Sequence, residues 1–118
     1  MKILVHPDRA DIHLSSVLYA LSDPLRLMIV SQLRSVSERA CGEFELPVAK
    51  STQSHHVRTL REAGIIYVRS AGTQRLISLR AEDLEAKFPG LLTSILEAYE
   101  NSGEKDRTIT SEQAQSAD

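Results

Sequence analysis

The 118-residue chain is poor in cysteine and has no tryptophan, and Cys41 is its single cysteine. One cysteine cannot form a disulfide within the chain, nor can it supply the several thiolates of a thiolate-rich metal site. No apolar run approaches the roughly 18 residues that a membrane-spanning helix needs. The first residues contain only the short apolar stretch Ile3-Leu4-Val5, so we expect no signal peptide. These absences predict a single cytoplasmic domain with no membrane partner.

The sequence also lacks the motifs of catalysis. It contains no glycine-rich phosphate loop and no serine or cysteine nucleophile motif. The neighbouring acids Glu82, Asp83 and Glu85 are better explained as the acidic first turn of a helix, where they complement the helix dipole. Because no catalytic constellation can be assembled, we predict that the protein is not an enzyme.

The net charge of −2 hides a strongly uneven distribution along the chain. Residues 1–49 carry five basic and six acidic side chains, residues 50–80 carry six and one, and residues 81–118 carry three and nine. The basic residues of the middle segment are Lys50, Arg58, Arg61, Arg69, Arg75 and Arg80. Attraction to phosphate depends on the face that a protein presents and not on its total charge, so this segment is the candidate for binding nucleic acid. A locally basic surface without that role is the alternative.

Hydrophobic periodicity predicts a mostly helical α+β chain. Helices are predicted over about residues 8–21, 24–34 and 51–63, and a last helix starts at Ala81 and is interrupted at Pro89-Gly90. Asp23 and Ser51 are the predicted N-caps of the second and third helices. Gly64 is expected to end the third helix in the left-handed conformation.

A β-hairpin follows the third helix. Its predicted strands are Ile65–Arg69 and Arg75–Arg80, joined by a turn that contains Gly72. Residues 40–47 predict only a short helical turn. The order helix, helix, turn, helix, hairpin, helix predicts a winged helix-turn-helix over residues 1–100. The aperiodic, acidic residues 101–118 predict a disordered tail.

In a helix-turn-helix the last helix of the unit lies in the major groove of duplex DNA, and its polar side chains face the base edges. The predicted helix Ser51–Ala63 carries hydroxyls, imidazoles and guanidinium groups that suit phosphates and bases. The hairpin tip can reach along the DNA backbone. The candidate DNA-binding residues are Lys50, Ser51, Thr52, Gln53, Ser54, His55, His56, Arg58, Arg61, Gln74 and Arg75.

Two blocks of the sequence resemble the ArsR/SmtB family of winged-helix repressors. The first is Ala20-Leu21-Ser22-Asp23-Pro24-Leu25-Arg26-Leu27, and the second, more specific block runs from Lys50 through Ser54-His55-His56-Val57 and Leu60-Arg61-Glu62-Ala63-Gly64 to Ile66. The resemblance covers about residues 12–100. It implies a homodimer built from the first and last helices, operator binding by the third helix and the wing, and repression relieved by an effector. Gln53 departs from the family pattern, which usually places an inward-facing apolar residue there, so either Gln53 reaches outward or the helix packs less tightly at this point.

The resemblance implies a dimer interface on the first and last helices, and the apolar stripe of the last helix predicts the same face. A last helix this apolar would leave a large exposed patch on a monomer, although packing within the chain is the alternative. The predicted interface residues are Leu14, Val17, Leu18, Leu91, Leu92, Ile95, Leu96 and Tyr99. A dimer should hold two third helices about one DNA turn apart, which predicts an inverted-repeat operator.

No effector is assignable from the sequence. The last helix contains no histidine, and Cys41 stands alone. A divalent metal such as nickel, cobalt or zinc has only one weak ligand cluster near the start of the chain, formed by His6, Asp8, Asp11 and His13. Solvation and helix capping are the more common roles of such residues. A redox switch at Cys41 and a winged helix that docks a protein without binding DNA are further alternatives.

Overall fold

The computed structural model of the protein describes residues 4–44 and 46–104. Within these residues the chain forms five α-helices and one three-stranded antiparallel sheet. In chain order the elements are α1 (Leu14–Leu21), α2 (Pro24–Leu33), β1 (Arg39–Ala40), α3 (Lys50–Glu62), β2 (Ile66–Ala71), β3 (Gln74–Leu79), α4 (Ala81–Lys87) and α5 (Leu91–Asn101). This is the predicted winged helix-turn-helix, and the hairpin of β2 and β3 is its wing. Of the predicted tail, residues 105–118 lie outside the described part of the chain.

The chain before α1 differs from the single helix predicted over residues 8–21. It forms one 3₁₀ turn, Arg9–Asp11, and then Ile12 and His13 adopt extended backbone before α1 begins. The physical reason is the side chain of Ile12, which is 1% exposed and lies in the core. An extended residue at this point directs the side chain inward, whereas a continuous helix would carry it around to another face.

The start of α2 confirms the predicted cap. The Oδ1 atom of Asp23 accepts hydrogen bonds from the backbone N–H groups of Leu25 at 2.8 Å and Arg26 at 3.2 Å. Pro24 occupies the first helical position, where a missing N–H leaves no hydrogen bond unmade. The cap places Arg26 in the first turn of α2, from which its side chain reaches α3.

The start of α3 differs from the prediction. The N-cap is Ala49, which makes no side-chain capping bond, and its carbonyl accepts from the backbone N–H of Gln53 at 3.0 Å. Ser51 is therefore an exposed residue inside the first turn, and the prediction that it caps the helix is wrong. The short turn predicted before α3 is present as the 3₁₀ turn Cys41–Glu43.

The sheet has the order β1-β3-β2, with all neighbours antiparallel. In the hairpin, Val68 pairs with Ile77 and Ile66 pairs with Leu79, and these side chains turn toward the helices. The two-residue strand β1 was not predicted, because two residues are too short to show the alternation by which a strand is read from sequence.

The core collects side chains from elements far apart in sequence. Val17 of α1, Ile29 of α2, Leu60 of α3, Ile77 of β3 and Leu96 of α5 are all buried and belong to one cluster. The predicted break at Pro89-Gly90 is confirmed, since Gly90 has a φ of +78° between α4 and α5. The break lets α5 turn back and pack against α2.

A polar network fastens the N-terminal segment to the wing and to α4. The Nε atom of Arg80 donates to Asp83 at 2.9 Å, and its Nη1 atom donates to the carbonyl of Pro7 at 2.7 Å. Asp83 also accepts from Arg9 Nε at 2.7 Å and from the hydroxyl of Tyr67 at 3.0 Å. These bonds hold the pKa of Asp83 at about 2, with the Arg9 bond the largest cause and the Arg80 and Tyr67 bonds acting in the same direction.

Across the described ranges, no helix is both long and apolar enough to cross a bilayer.

Candidate nucleic-acid interface

The outer face of α3 is polar, and the rest of the described chain does not cover it. Its exposed residues are Lys50, Ser51, Thr52, Ser54, His55, Arg58 and Glu62. The inner face is formed by Gln53, His56, Val57 and Leu60, which are buried. These four positions follow the spacing of one helix face, so the fold divides α3 into a packed side and a side open to a partner.

Gln53 is one of two candidate DNA-binding residues that the structure turns inward. Its Nε2 atom donates to the carbonyl oxygen of Cys41 at 2.6 Å and lies 3.7 Å from the Cys41 sulfur. The amide satisfies a backbone carbonyl of the turn before α3, where an apolar residue would leave that carbonyl unpaired. Gln53 therefore fixes α3 to the preceding turn and lies on the buried face of the helix, not on its open face.

His56 is the other. Its Nδ1 atom lies 3.1 Å from Nη1 of Arg26, and a guanidinium can only donate, so Nδ1 accepts. The Nε atom of Arg26 donates to the carbonyl of Ala20 at 2.6 Å, and both side chains are buried. The pair links the start of α2 to the middle of α3, which is a positioning role. The spacing of His56 from Gln53 and Leu60 is the sequence signal that could have shown its inward direction.

The wing places one candidate beside α3. Gly72 has a φ of +64° at the hairpin tip, and Gln74 and Arg75 follow it as exposed residues. Arg75 is two residues from buried Ile77 on β3, so both side chains leave the same face of the strand, the face toward α3. Arg75 lines a cavity together with Ser54, Arg58 and Arg61 of α3.

The basic residues of segment 50–80 divide into two sets. Arg69 makes a bidentate pair with Glu38, at 2.7 and 2.8 Å, and Arg80 is buried on Asp83. These two arginines stabilise the wing and the segment before α4. Lys50, Arg58, Arg61 and Arg75 lie on α3 and on the face of the wing that turns toward α3. The positive charge that faces a partner is therefore smaller than the sequence count suggested, but it is concentrated on one surface.

The predicted dimer residues also divide into two sets. Val17, Leu96 and Tyr99 are at most 3% exposed and pack inside the chain, because they lie on the inner faces of α1 and α5. For these three residues the alternative of packing within the chain is the one that the structure shows. The remaining residues are Leu14 and Leu18, which are 46% and 45% exposed, and the half-buried Leu91, Leu92 and Ile95.

The weak metal candidates are not brought together. Within residues 4–44 and 46–104 no group of three histidine, cysteine, aspartate or glutamate side chains could hold a metal ion. The Nε2 atom of His6 accepts a hydrogen bond from the backbone N–H of Val68 at 2.9 Å, and its ring stands edge-on to Tyr67 at 5.5 Å between centroids. His6 therefore closes the outer edge of β2, a role that the sequence did not reveal.

A capped second helix, a third helix with one open polar face and an adjoining basic wing define a winged helix-turn-helix of the DNA-binding class. Residues 23–68 match the family described as bacterial regulatory protein, arsR family. The chain is also similar to the uncharacterized HTH-type transcriptional regulator YceK of Bacillus subtilis (strain 168), with 36% identity over 84 residues, which cover 69% of this chain and 84% of that protein. The chain belongs to the arsR family of bacterial regulatory proteins, and it is a DNA-binding transcription regulator.

Proposed function

We propose that the protein is a repressor that binds an inverted-repeat operator as a homodimer, with α3 of each subunit in the major groove and each wing on the adjoining backbone. The observation that carries this proposal is the open polar face of α3. Ser51, Thr52, Ser54 and His55 are exposed on a helix whose opposite face is packed in the core. A rigidly held helix with free donors and acceptors on one side has the form that base-edge readout needs.

The charges around α3 support the same orientation. Arg58 is exposed, and among the described residues its one ion pair is with Glu62, one helical turn away, at 3.1 Å. An exposed pair of this kind is weak, so Arg58 can exchange it for a base or a phosphate. Lys50 lies in the first turn of α3, where backbone amides also favour a phosphate oxygen.

The exposed apolar residues of the terminal helices support the homodimer. Leu14 and Leu18 are four residues apart on the outer face of α1, and Tyr19 beside them is 67% exposed. On α5, Leu92 and Ile95 are only half buried by the rest of the chain. Exposed apolar side chains on both terminal helices of a small protein are typical of a contact with another chain, and a second copy would cover them with twofold symmetry.

DNA binding is tested by fluorescence anisotropy with labelled duplexes from the region upstream of the gene. We expect Arg58→Ala to weaken binding to the operator by roughly 1–3 kcal/mol and to relax the preference at one base position. Arg34→Ala is the matched control, because it removes the same charge from a residue that pairs with Glu97 and Glu100 and lies outside the candidate nucleic-acid interface. Equal affinities and equal base preferences for wild type and Arg58→Ala would exclude Arg58 as a reader of the operator.

A salt series on the wild-type protein tests the mode of binding. Each phosphate contact releases counterions, so operator affinity should fall steeply between about 50 and 200 mM salt. An affinity that does not change over this range would contradict DNA binding through the basic surface. That result would favour a winged helix that docks another protein.

The dimer is tested by sedimentation velocity at micromolar concentration. We expect the wild type to sediment as a dimer and Leu18→Glu to sediment as a monomer, because the new carboxylate would lie in the apolar contact. Val36→Glu is the matched control, since Val36 is a similarly exposed apolar residue that belongs to neither α1 nor α5. The monomeric variant should bind one half-site weakly and lose the preference for an inverted repeat. A monomeric wild-type protein would contradict the homodimer.

A further inference from the structure

A cavity lies between α3 and the wing, with a volume of about 450 Å³. Three arginines, Arg58, Arg61 and Arg75, line it together with Ser54. No carboxylate is among the described residues that line it. The cavity therefore concentrates positive charge in a concave site, where an anion would be surrounded by donors from two different elements.

The arginines of this cavity are incompletely paired. The Nε atom of Arg61 is buried and makes no hydrogen bond to the described residues. Arg75 likewise makes no ion pair within the described chain, whereas Arg58 pairs with Glu62. A buried donor without a partner costs free energy, and most such donors in folded proteins are satisfied by a protein group, a water or a ligand. The field of Arg61 also contributes to the lowered pKa of His6, after the larger effect of burial.

The remaining walls of the cavity are apolar. Leu4 of the N-terminal segment, Val57 of α3 and Val68 of β2 contribute aliphatic side chains, and Cys41 lies beside them. A site for a bare phosphate would need only the arginine and serine donors and not these apolar walls. A cavity of several hundred Å³ that combines apolar walls with a few convergent polar groups is the usual form of a small-molecule site.

We propose that this cavity binds a small organic anion, in which a phosphate or carboxylate group meets Arg58, Arg61 and Arg75 and an apolar body meets Leu4, Val57 and Val68. Binding of the anion opposes binding of DNA. Ser54, Arg58 and Arg75 are also candidate DNA contacts, so a bound anion would neutralise and occupy the side chains that meet the DNA backbone. The opposition to DNA rests on the proposed function, whereas the anion site itself does not.

The site is tested without DNA, by isothermal titration calorimetry on the full chain at constant low ionic strength. The probes are phenyl phosphate, inorganic phosphate and benzyl alcohol, which present the anion with an apolar body, the anion alone and an apolar body alone. We expect phenyl phosphate to bind at least about tenfold more tightly than either of the others. Equal binding of phenyl phosphate and inorganic phosphate would overturn the proposal and leave a site for a simple phosphate, such as one in DNA.

Variants locate the binding. Arg61→Gln and Arg75→Gln should each weaken phenyl phosphate binding about tenfold or more, because each removes a charged donor from the cavity. Arg34→Gln changes the net charge equally, but Arg34 pairs with Glu97 and Glu100 and does not line the cavity. This variant should therefore bind phenyl phosphate as the wild type does. Far-UV circular dichroism verifies that each variant is folded. An equal loss in all three variants would show nonspecific charge attraction and overturn the site.

In a second experiment, phenyl phosphate is added to the complex of the protein with labelled operator DNA, and fluorescence anisotropy measures how much DNA stays bound. We expect the apparent DNA affinity to fall as the ligand saturates the cavity, and to fall much less with benzyl alcohol. If phenyl phosphate binds the free protein and leaves DNA affinity unchanged, the opposition to DNA is overturned. A wild-type protein that binds no duplex would overturn the proposed function, and the calorimetric result would still decide the anion site.

Discussion

Gly64 offers a direct test of how the end of α3 is held in the fold. It has a φ of +86°, and a Cβ atom added there would lie 2.6 Å from Cγ1 and 2.9 Å from Cδ1 of Ile12. Both distances are shorter than any ordinary carbon–carbon contact, and Ile12 is buried, so it cannot move aside freely. Gly64→Ala therefore combines an unfavourable backbone conformation with a steric clash.

The two effects can be separated, because the wing supplies a matched glycine. Gly72 has a φ of +64° with no atom within 4 Å of its added Cβ, so Gly72→Ala carries the conformational cost alone. That cost is about 1–2 kcal/mol for a side chain in the left-handed region. Overpacking in a core adds about 1–3 kcal/mol, so we expect Gly64→Ala to lose about 2–5 kcal/mol of unfolding free energy.

Urea denaturation followed by circular dichroism measures both variants against the wild type. Replacing glycine with alanine lowers the conformational entropy of the unfolded chain in both variants, so this effect cancels when they are compared with each other. The slope of the transition should stay the same, and only its midpoint should move. If the two substitutions cost the same within about 0.5 kcal/mol, the contact of Gly64 with Ile12 does not hold the end of α3, and the reasoning is refuted.

Two further predictions concern pH. The pKa of Asp83 is lowered from 3.8 to about 2, mainly by its hydrogen bond from Arg9. Its contribution to the free energy of unfolding is therefore present above about pH 4 and is lost as the pH falls toward 2. Asp83→Asn should reduce this loss of stability at acid pH in urea denaturation measured as a function of pH, and an unchanged loss would contradict the prediction. Burial, and then the charge of Arg61, lower the pKa of His6 below 6.5. The unfolded chain therefore binds a proton at His6 more readily than the folded chain does, so the free energy of unfolding should decline as the pH falls below about 6.5. His6→Gln, which keeps an acceptor for the N–H of Val68, should remove that decline, and thermal melts between pH 7 and 5 measure it.

Much of the fold is accessible from local patterns in the sequence. Asp23-Pro24 predicted the start of α2 and Gly64 predicted the end of α3, because capping chemistry depends on a few neighbouring residues. Pro89-Gly90 predicted the break between α4 and α5 for the same reason. The packing of these elements depends on contacts between distant residues, and Ile12, which interrupts the predicted first helix in order to fill the core, has no local signal.

The candidate interface was predicted less completely than the fold. The outer residues of α3 followed from residue chemistry, but Gln53 and His56 have side chains that suit DNA and packing equally well. Their buried partners are a backbone carbonyl of the turn at Cys41 and the guanidinium of Arg26, which lie 12 and 30 residues away. Chemistry alone favours an outward direction for a polar residue, whereas the helical spacing of the buried residues favours an inward one, and the structure follows the spacing.

The Arg26–His56 contact joins the two blocks of sequence by which the family is recognised. Asp23 fixes the start of α2, which places Arg26, and Arg26 then donates both to the carbonyl of Ala20 at the end of α1 and to His56 in the middle of α3. A guanidinium holds several donors in one plane, so these bonds set the rotation of α3 as well as its distance from α2. The direction of the open face of α3 is therefore set by polar contacts on the opposite, buried face of the helix, and these contacts do not involve DNA.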